Sequence, residues 1–341
     1  MPRDLAEEPG ATLPPGLVYV SDQEPGIGRR RCGRGFRYLH PDGGAVSCEE
    51  SLARIRGLGI PPAWRDVWIC ARETGHLQAT GIDEAGRKQY RYHPDWETWR
   101  AEVKYSQLPA FGAALPRLRR RVSRDLERAP GDLDFTLAAI TALIDQAHIR
   151  VGNRAYARGR DATYGATTLQ SRHLTLEKGV VRLKYRAKGG RRVTHSLRDR
   201  RLQRILQAID DLPGANLFTY ITPEGEARPV ASHHVNAYIA EAAGNEGVSG
   251  KTFRTWAGTL AAFSVARATR GRLTMKALCH AAAEALANTP AICRTSYIHP
   301  RVLDLAALPP EAREERLAAL RPAGPHGLRA EERRLLGLLV V

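Results

Sequence analysis

Between residues 36 and 92 apolar and polar positions alternate in short runs, a spacing that predicts strands. Phe36 to Leu39, Val67 to Cys70, His76 to Thr80 and Lys88 to Tyr92 read as strands, with turns at Pro41 to Gly44, at Gly75 and at Gly81 to Gly86. Ser47-Cys48-Glu49-Glu50 reads as a capping box opening a short helix to Arg56. Residues 1–30, rich in Pro and Gly, are expected to be loose. Past residue 97 the period lengthens to that of helices. Asp132 to His148 carries Leu133, Leu137, Ile140, Ile144 and Ala147 on one side, an amphipathic helix that delivers the chain to Arg150. Val180 to Tyr185 and Arg191 to Leu197 flank Ala187-Lys188-Gly189-Gly190, a β-hairpin with Lys188 at its tip. The alanine-rich stretch Trp256 to Val265 reads as a core helix. Thr289-Pro290 reads as the N-cap and first position of a short helix that stops before His299-Pro300, with Asn288 just ahead of it and Tyr297 near its end. In the tail, Glu311 to Leu320 and Arg329 to Leu338 read as helices, the apolar end Leu335 to Val341 packing on the preceding domain. The pattern as a whole is α+β: a sheet-rich N-terminal domain over 1–97 and a larger, mainly helical domain over 98–341 with a hairpin at about 180–197.

Composition adds a partner. At 43% hydrophobic and 26% charged, the 341 residues can bury real cores. The 52 Lys and Arg outweigh the 36 Asp and Glu, giving a net charge of +16. Counterion release makes nucleic acid the first expectation for such a chain and an anionic membrane the second. Arg29-Arg30-Arg31 reads as a solvated basic loop or a phosphate contact. Arg117, Arg119, Arg120, Arg121 and Arg124 read as a solvated face or the border of a duplex. Arg182, Lys184, Arg186, Lys188, Arg191 and Arg192 crowd one hairpin, more than solubility needs, and fit a phosphate backbone. Five cysteines without a C-x-x-C pair suggest neither zinc nor a disulfide framework, which fits a reducing cytosol. The acidic N-terminus is unlike a signal peptide, and no apolar run is long enough for a bilayer. Gly244 to Thr252 has the wrong spacing for a phosphate-cradling loop, and Gly26 to Arg31 lacks the third glycine of a dinucleotide fingerprint, so no nucleotide cofactor is expected.

Single residues say less than their order. Tyr297 alone reads as a half-buried packing phenol, and Arg150, beside Gly152, as the cap of a helix end. Gln89, Tyr90, Arg91 and Tyr92 suit base edges and phosphates, or simply sheet packing. In order, however, Arg150, Lys188 on its basic hairpin, Lys251-x-x-Arg254, Asn288 and Tyr297 resemble the poxvirus-like type IB DNA topoisomerases of bacteria. Ile149 to Asn153 with Tyr156, Tyr164 to Leu169, Arg172-His173, Gly59 to Trp64, and Gln78 to Gly81 through Arg87 to Tyr92 are similar to that family too. The resemblance covers about residues 35–300.

The resemblance implies a C-shaped clamp around duplex DNA, and supercoil relaxation without ATP, cofactor or metal by a monomer. It makes Tyr297 the nucleophile of a 3′-phosphotyrosyl link, Arg150 and Arg254 the phosphate clamps and Lys188 the general acid, with Lys251 a possible second. Gln89, Tyr90, Tyr92, Tyr156 and Lys251 become DNA contacts. The chemistry asks for these types. Two guanidiniums hold the charge growing on the non-bridging oxygens, an ammonium with cationic neighbours can protonate the leaving oxygen, and a phenol needs nearby cations to act as a nucleophile. Asn288 departs from the histidine of eukaryotic and poxviral relatives nine residues before the tyrosine. An amide donates a hydrogen bond but does not titrate. Two rivals stand: a tyrosine recombinase, disfavoured because Lys251 replaces its usual histidine, and a non-catalytic architectural DNA-binding protein.

Overall fold

The structure, a computed structural model, describes residues 13–213 and 216–340. The chain divides into two compact units after Lys104. The boundary expected at 97 falls inside α2 (Pro94–Ser106), whose first turn packs on the sheet unit: the Trp96 ring lies 5.0 Å from His76 and 5.8 Å from Tyr19.

In the first unit, β1 (Ile27–Cys32), β2 (Gly35–Leu39), β3 (Arg65–Ile69), β4 (Leu77–Ile82) and β5 (Lys88–Tyr92) form an antiparallel sheet of order β2-β1-β3-β4-β5. One face buries Ile27, Val67, Ile69 and Ala79 together with Ile55 of α1 (Glu49–Gly57). The other buries Val20, Cys70 and Leu77, with Tyr90 and Tyr92 packed against them. Three expectations are corrected. Residues 13–30 are not uniformly loose: Val18 N–H donates to Thr74 O (2.9 Å), Val18 O accepts from His76 N–H (2.9 Å), and Ile27 opens β1. The expectation for residues 1–12 lies outside the described residues. Arg29 to Arg31 belong to β1, and the half-buried Arg29 guanidinium donates inward to Ile60 O, Pro61 O and Trp64 O at 2.7–3.3 Å, so it ties down the segment before β3. Ser47 caps nothing: α1 starts after Cys48 without a side-chain cap, and Glu49 and Glu50 supply the favourable charge in its first turn.

The second unit is mostly helical. It comprises α3 (Leu108–Asp125), α4 (Leu133–Ala147), the sheet β6 (Leu174–Glu177), β7 (Val180–Arg186) and β8 (Arg192–Arg198), α5 (Arg200–Asp210), a small pair β9 (Thr219–Ile221) and β10 (Ala227–Pro229), α6 (Ser232–Ala243), α7 (Gly250–Ala268), α8 (Met275–Leu286), α9 (Pro290–Ser296), α10 (Pro300–Leu303), α11 (Pro310–Ala318) and α12 (Ala330–Val340). One continuous apolar core, from Leu108 to Leu339, joins these helices. α7 lies at its centre and buries Phe253, Trp256, Ala257, Ala262, Phe263 and Ala266. As expected, α12 buries Leu335, Leu336, Leu338 and Leu339; Val341 lies outside the described residues.

The arginine run on α3 is divided: Arg120 and Arg124 stay on the exposed face that was expected, whereas Arg119 and Arg121 are drawn into pairs with neighbouring helices. Arg119 binds Asp145 of α4 and Glu332 of α12, Arg121 binds Asp125 and Glu241 of α6, and Arg117 donates to Ala242 O. Burial pushes the Glu332 carboxyl up, but the Arg119 hydrogen bonds more than offset it and hold the group below its ordinary range. Asp125 is a neighbour on the same helix, but Asp145, Glu241 and Glu332 come from α4, α6 and α12 and meet the run only after folding, so those pairs fasten helices together. No helix among the described residues is long and apolar enough to cross a membrane.

Candidate active site

Three helix ends and one hairpin build the site. Asp132 caps α4, its carboxylate accepting from Asp134 N–H and Phe135 N–H, and the helix ends in the left-handed residue His148 (φ 54°). Ile149 is buried next, and Arg150 follows on a loop fixed by its neighbour: Arg150 O accepts from Ala166 N–H at 2.8 Å and Val151 O from Thr167 N–H at 2.7 Å. The two loop backbones can come this close because Gly152 faces Gly165. A Cβ on Gly165 would stand 2.7 Å from Gly152 Cα.

Arg254, on α7, is only 3% exposed. Its guanidinium donates through Nη1 to His148 O and through Nη2 to Leu286 O at 3.0 Å, bridging the last carbonyls of α4 and α8. Burial first, and Arg150 second, pull its pKa below the ordinary guanidinium value, while Tyr297 and Tyr185 oppose the shift. The guanidinium carbon lies 5.3 Å from the centroid of the Tyr297 ring.

α8 also ends left-handed, at Ala287 (φ 46°), and turns the chain into Asn288. Asn288 is 7% exposed; its Oδ1 accepts from Thr289 N–H at 3.0 Å, and its Nδ2 is buried with no acceptor among the described residues. Arg254 Nε is in the same condition. Thr289 caps α9, with Pro290 in the first turn, and Tyr297 is the C-terminal cap residue. The nucleophile candidate is gripped by α7: Thr259 Oγ1 donates to Tyr297 O (3.3 Å) and accepts from His299 N–H (3.1 Å). A Cβ on Gly258 would fall 2.7 Å from Tyr297 O, so a glycine is what lets this backbone approach.

On the hairpin, Ala187 N–H donates to Arg191 O at 2.7 Å, and the tip turns through Gly189 and Gly190, both at positive φ. Lys188 is exposed, and no hydrogen bond or ion pair holds its amine among the described residues. The strand alternation points Arg182, Lys184 and Arg192 outward. Arg186 is engaged by Asp161 at 3.1 Å.

Residues 94–298 match the family model described as the catalytic core of eukaryotic DNA topoisomerase I, and residues 35–83 match the N-terminal domain of bacterial DNA topoisomerase IB. The chain belongs to the type IB DNA topoisomerases. A DNA topoisomerase 1B of Acanthamoeba polyphaga mimivirus is 28% identical over 300 residues, covering 84% of this chain and 89% of the relative.

In this topoisomerase Arg150 and Arg254 line one small cleft with Ala187, Leu286 and Ala287, next to Lys188 and Asn288 in the chain, while Tyr297 lies beside Arg254. Lys251 is exposed in the first turn of α7, and Tyr156, 57% exposed, ends a 3-10 turn on the Arg150 loop. Gln89, Tyr90 and Tyr92 belong to the other unit. There Gln89 Nε2 donates to Asp83 at 2.9 Å, and Tyr90 and Tyr92 stack with centroids 6.0 Å apart.

Sequence reasoning missed four residues here: Gly258, Thr259, Tyr185 and His195. Tyr185 and His195 line the cleft from the inward face of the hairpin, Tyr185 Oη lying 3.4 Å from His195 Nε2. Burial pushes the Tyr185 hydroxyl up to about 12. Burial, followed by His148 and Arg254, pulls the His195 ring down to about 4. The signal for this pair was present: in Val181-Arg182-Leu183-Lys184-Tyr185 and Val193-Thr194-His195-Ser196-Leu197 both share the apolar parity.

Proposed function

We propose that Tyr297 is the nucleophile of the strand-transfer reaction, that Arg150, Arg254 and Asn288 hold the scissile phosphate, and that Lys188 is the general acid. What supports this reading is a pair of buried donors, Arg254 Nε and Asn288 Nδ2, that find no acceptor among the described residues, with the Arg254 guanidinium 5.3 Å from the Tyr297 ring. Leaving such groups unpaired is costly, and a non-bridging phosphate oxygen would satisfy them.

In the forward step the Tyr297 oxygen bonds to phosphorus and gives up its proton to water. The bond to the 5′ oxygen breaks, and Lys188 protonates that leaving oxygen. One phosphodiester replaces another, so neither ATP nor a metal is required to reseal the strand, and the free 5′-hydroxyl end can rotate to relax supercoils of either sign. Charge developing on the phosphate meets fixed donors in a site largely withdrawn from water, where they are most effective. Lys251 and Tyr156, both exposed, contact the duplex from the helical unit. Gln89, Tyr90 and Tyr92 do so from the sheet unit. The protein acts as a monomer on double-stranded DNA in the cytoplasm, at the nucleoid.

The test is supercoiled plasmid mixed with the protein and EDTA, without ATP. Ladder-like relaxation supports the reading, binding without relaxation would indicate an architectural protein, and products that need paired sites would indicate a recombinase. Tyr297→Phe should bind DNA as the parent does yet yield no detergent-trapped adduct. An adduct from that variant would remove Tyr297 from its role.

A further inference from the structure

The match to the catalytic core ends at residue 298, one residue past Tyr297, and the chain beyond that point is firmly seated. Ile298, Val302 and Leu305 are fully buried. Between them Arg301 reaches α12: its Nη1 donates to Leu338 O at 3.3 Å and to Leu339 O at 3.0 Å. These carbonyls lie in the last turn of that helix, where no intrahelical N–H reaches them and a cation is favoured.

α12 is in turn bound directly to α7, which carries Arg254, and through Arg119 of α3 to α4, which leads into Arg150. Glu332, 1% exposed, pairs with Arg119, which also holds Asp145 on α4, the helix leading into Arg150. Glu331 pairs with Arg267 of α7, the helix carrying Arg254. One helix is therefore linked to the supports of Arg254 and Tyr297 directly and to that of Arg150 through Arg119, and its side-chain link toward Tyr297 runs through Arg301.

We infer that Arg301 is a positioning residue for the transesterification: by docking the chain after Tyr297 onto α12, it sets the phenol in line with the phosphate that the two arginines hold. The inference rests on Tyr297 being the nucleophile. A displacement of about 1 Å in such a group can cost about 10²-fold in rate.

The experiment uses the full chain in excess over supercoiled plasmid, at a temperature well below the unfolding midpoint of each variant. Relaxation rate, DNA affinity and the fraction of active molecules are measured separately. Arg301→Ala should relax plasmid roughly 10- to 100-fold more slowly, with affinity and active fraction unchanged. Arg301→Lys, which still reaches one carbonyl, should lie between that variant and the parent. A purely structural role predicts a smaller active fraction with an unaltered rate constant, and that outcome overturns the inference, as does a rate for Arg301→Ala within about twofold of the parent or no recovery by Lys. Tyr297→Phe, run in parallel, tests the nucleophile itself: residual relaxation there would refute the underlying reading, whereas an inactive Tyr297→Phe beside an unimpaired Arg301→Ala would refute the inference alone.

Discussion

Two regions carry the cations proposed for the reaction, and they hold them in opposite ways. The floor made by α7 and the ends of α4 and α8 presents Arg254, nearly buried and bonded to two main-chain carbonyls. The hairpin presents Lys188, exposed on a two-glycine turn with its amine unheld among the described residues. The difference fits the roles proposed for the two. A group that stabilises charge works best when fixed before the substrate arrives, since nothing then has to reorganise during reaction. A general acid must meet an oxygen whose position is defined only by the bound strand, and an adjustable tip tolerates that.

The largest expected effects test this division directly. Lys188→Ala should slow cleavage of an ordinary phosphodiester by about 10²–10⁴-fold. Most of that loss should vanish when sulfur replaces the leaving 5′ oxygen, because sulfur departs without a proton. Arg254→Lys should lose about 10³-fold on both substrates, since an ammonium cannot span two carbonyls and a phosphate as a guanidinium does. Equal rescue of the two variants, measured in single-turnover cleavage, would erase the distinction between floor and tip.

Asn288 belongs to the floor and should behave like it. Asn288→Ala is expected to cost about 10²–10³-fold in cleavage, while Asn288→His keeps substantial activity because its ring N–H can reach the same oxygen. From about pH 5 to 9 only the histidine variant should gain a dependence near an imidazole pKa. An alanine variant as fast as the parent would reduce Asn288 to the residue that supports Thr289 N–H.

The smallest effect concerns His195, on the hairpin's inward face toward His148, Arg254 and Tyr185. Its ring titrates near 4 when folded instead of the ordinary 6.5. The unfolded chain therefore binds more protons between those values, and stability falls as the pH falls from 6.5 toward 4, then levels off. His195→Gln should abolish a loss on the order of 2 kcal/mol across that window, read from denaturant midpoints at each pH. Identical pH profiles for variant and parent would show that the hairpin is not locked to the floor through this ring.

Local chemistry explains what was legible in the sequence. Thr289-Pro290 marks the start of α9, the apolar stripe on α4 leads to Arg150, and glycines at 189 and 190 mark the hairpin tip, each signal lying within a few residues of its consequence. Where the partner is distant the reading failed. Arg119 of α3 looks free until Glu332 arrives from 213 positions away, and Arg29 looks solvated until residues 60–64 fold under it. Thr259 gave no sign of its grip on Tyr297, because the contact spans 38 positions and uses a main-chain oxygen.

The same is true of Arg254, with a consequence for how its surroundings can vary. Arg254 hangs from the oxygens of His148 and Leu286, and no codon change alters a main-chain oxygen. A substitution at either position leaves the anchoring oxygen in place, so any effect it has on the arginine must come through the backbone shape or, at the buried Leu286, through the core packing. What drift must preserve is the shape of the two helix ends, each closed or followed by a left-handed residue, His148 and Ala287. A β-branched residue at either place, disfavoured at positive φ, is the change expected to unseat the charge.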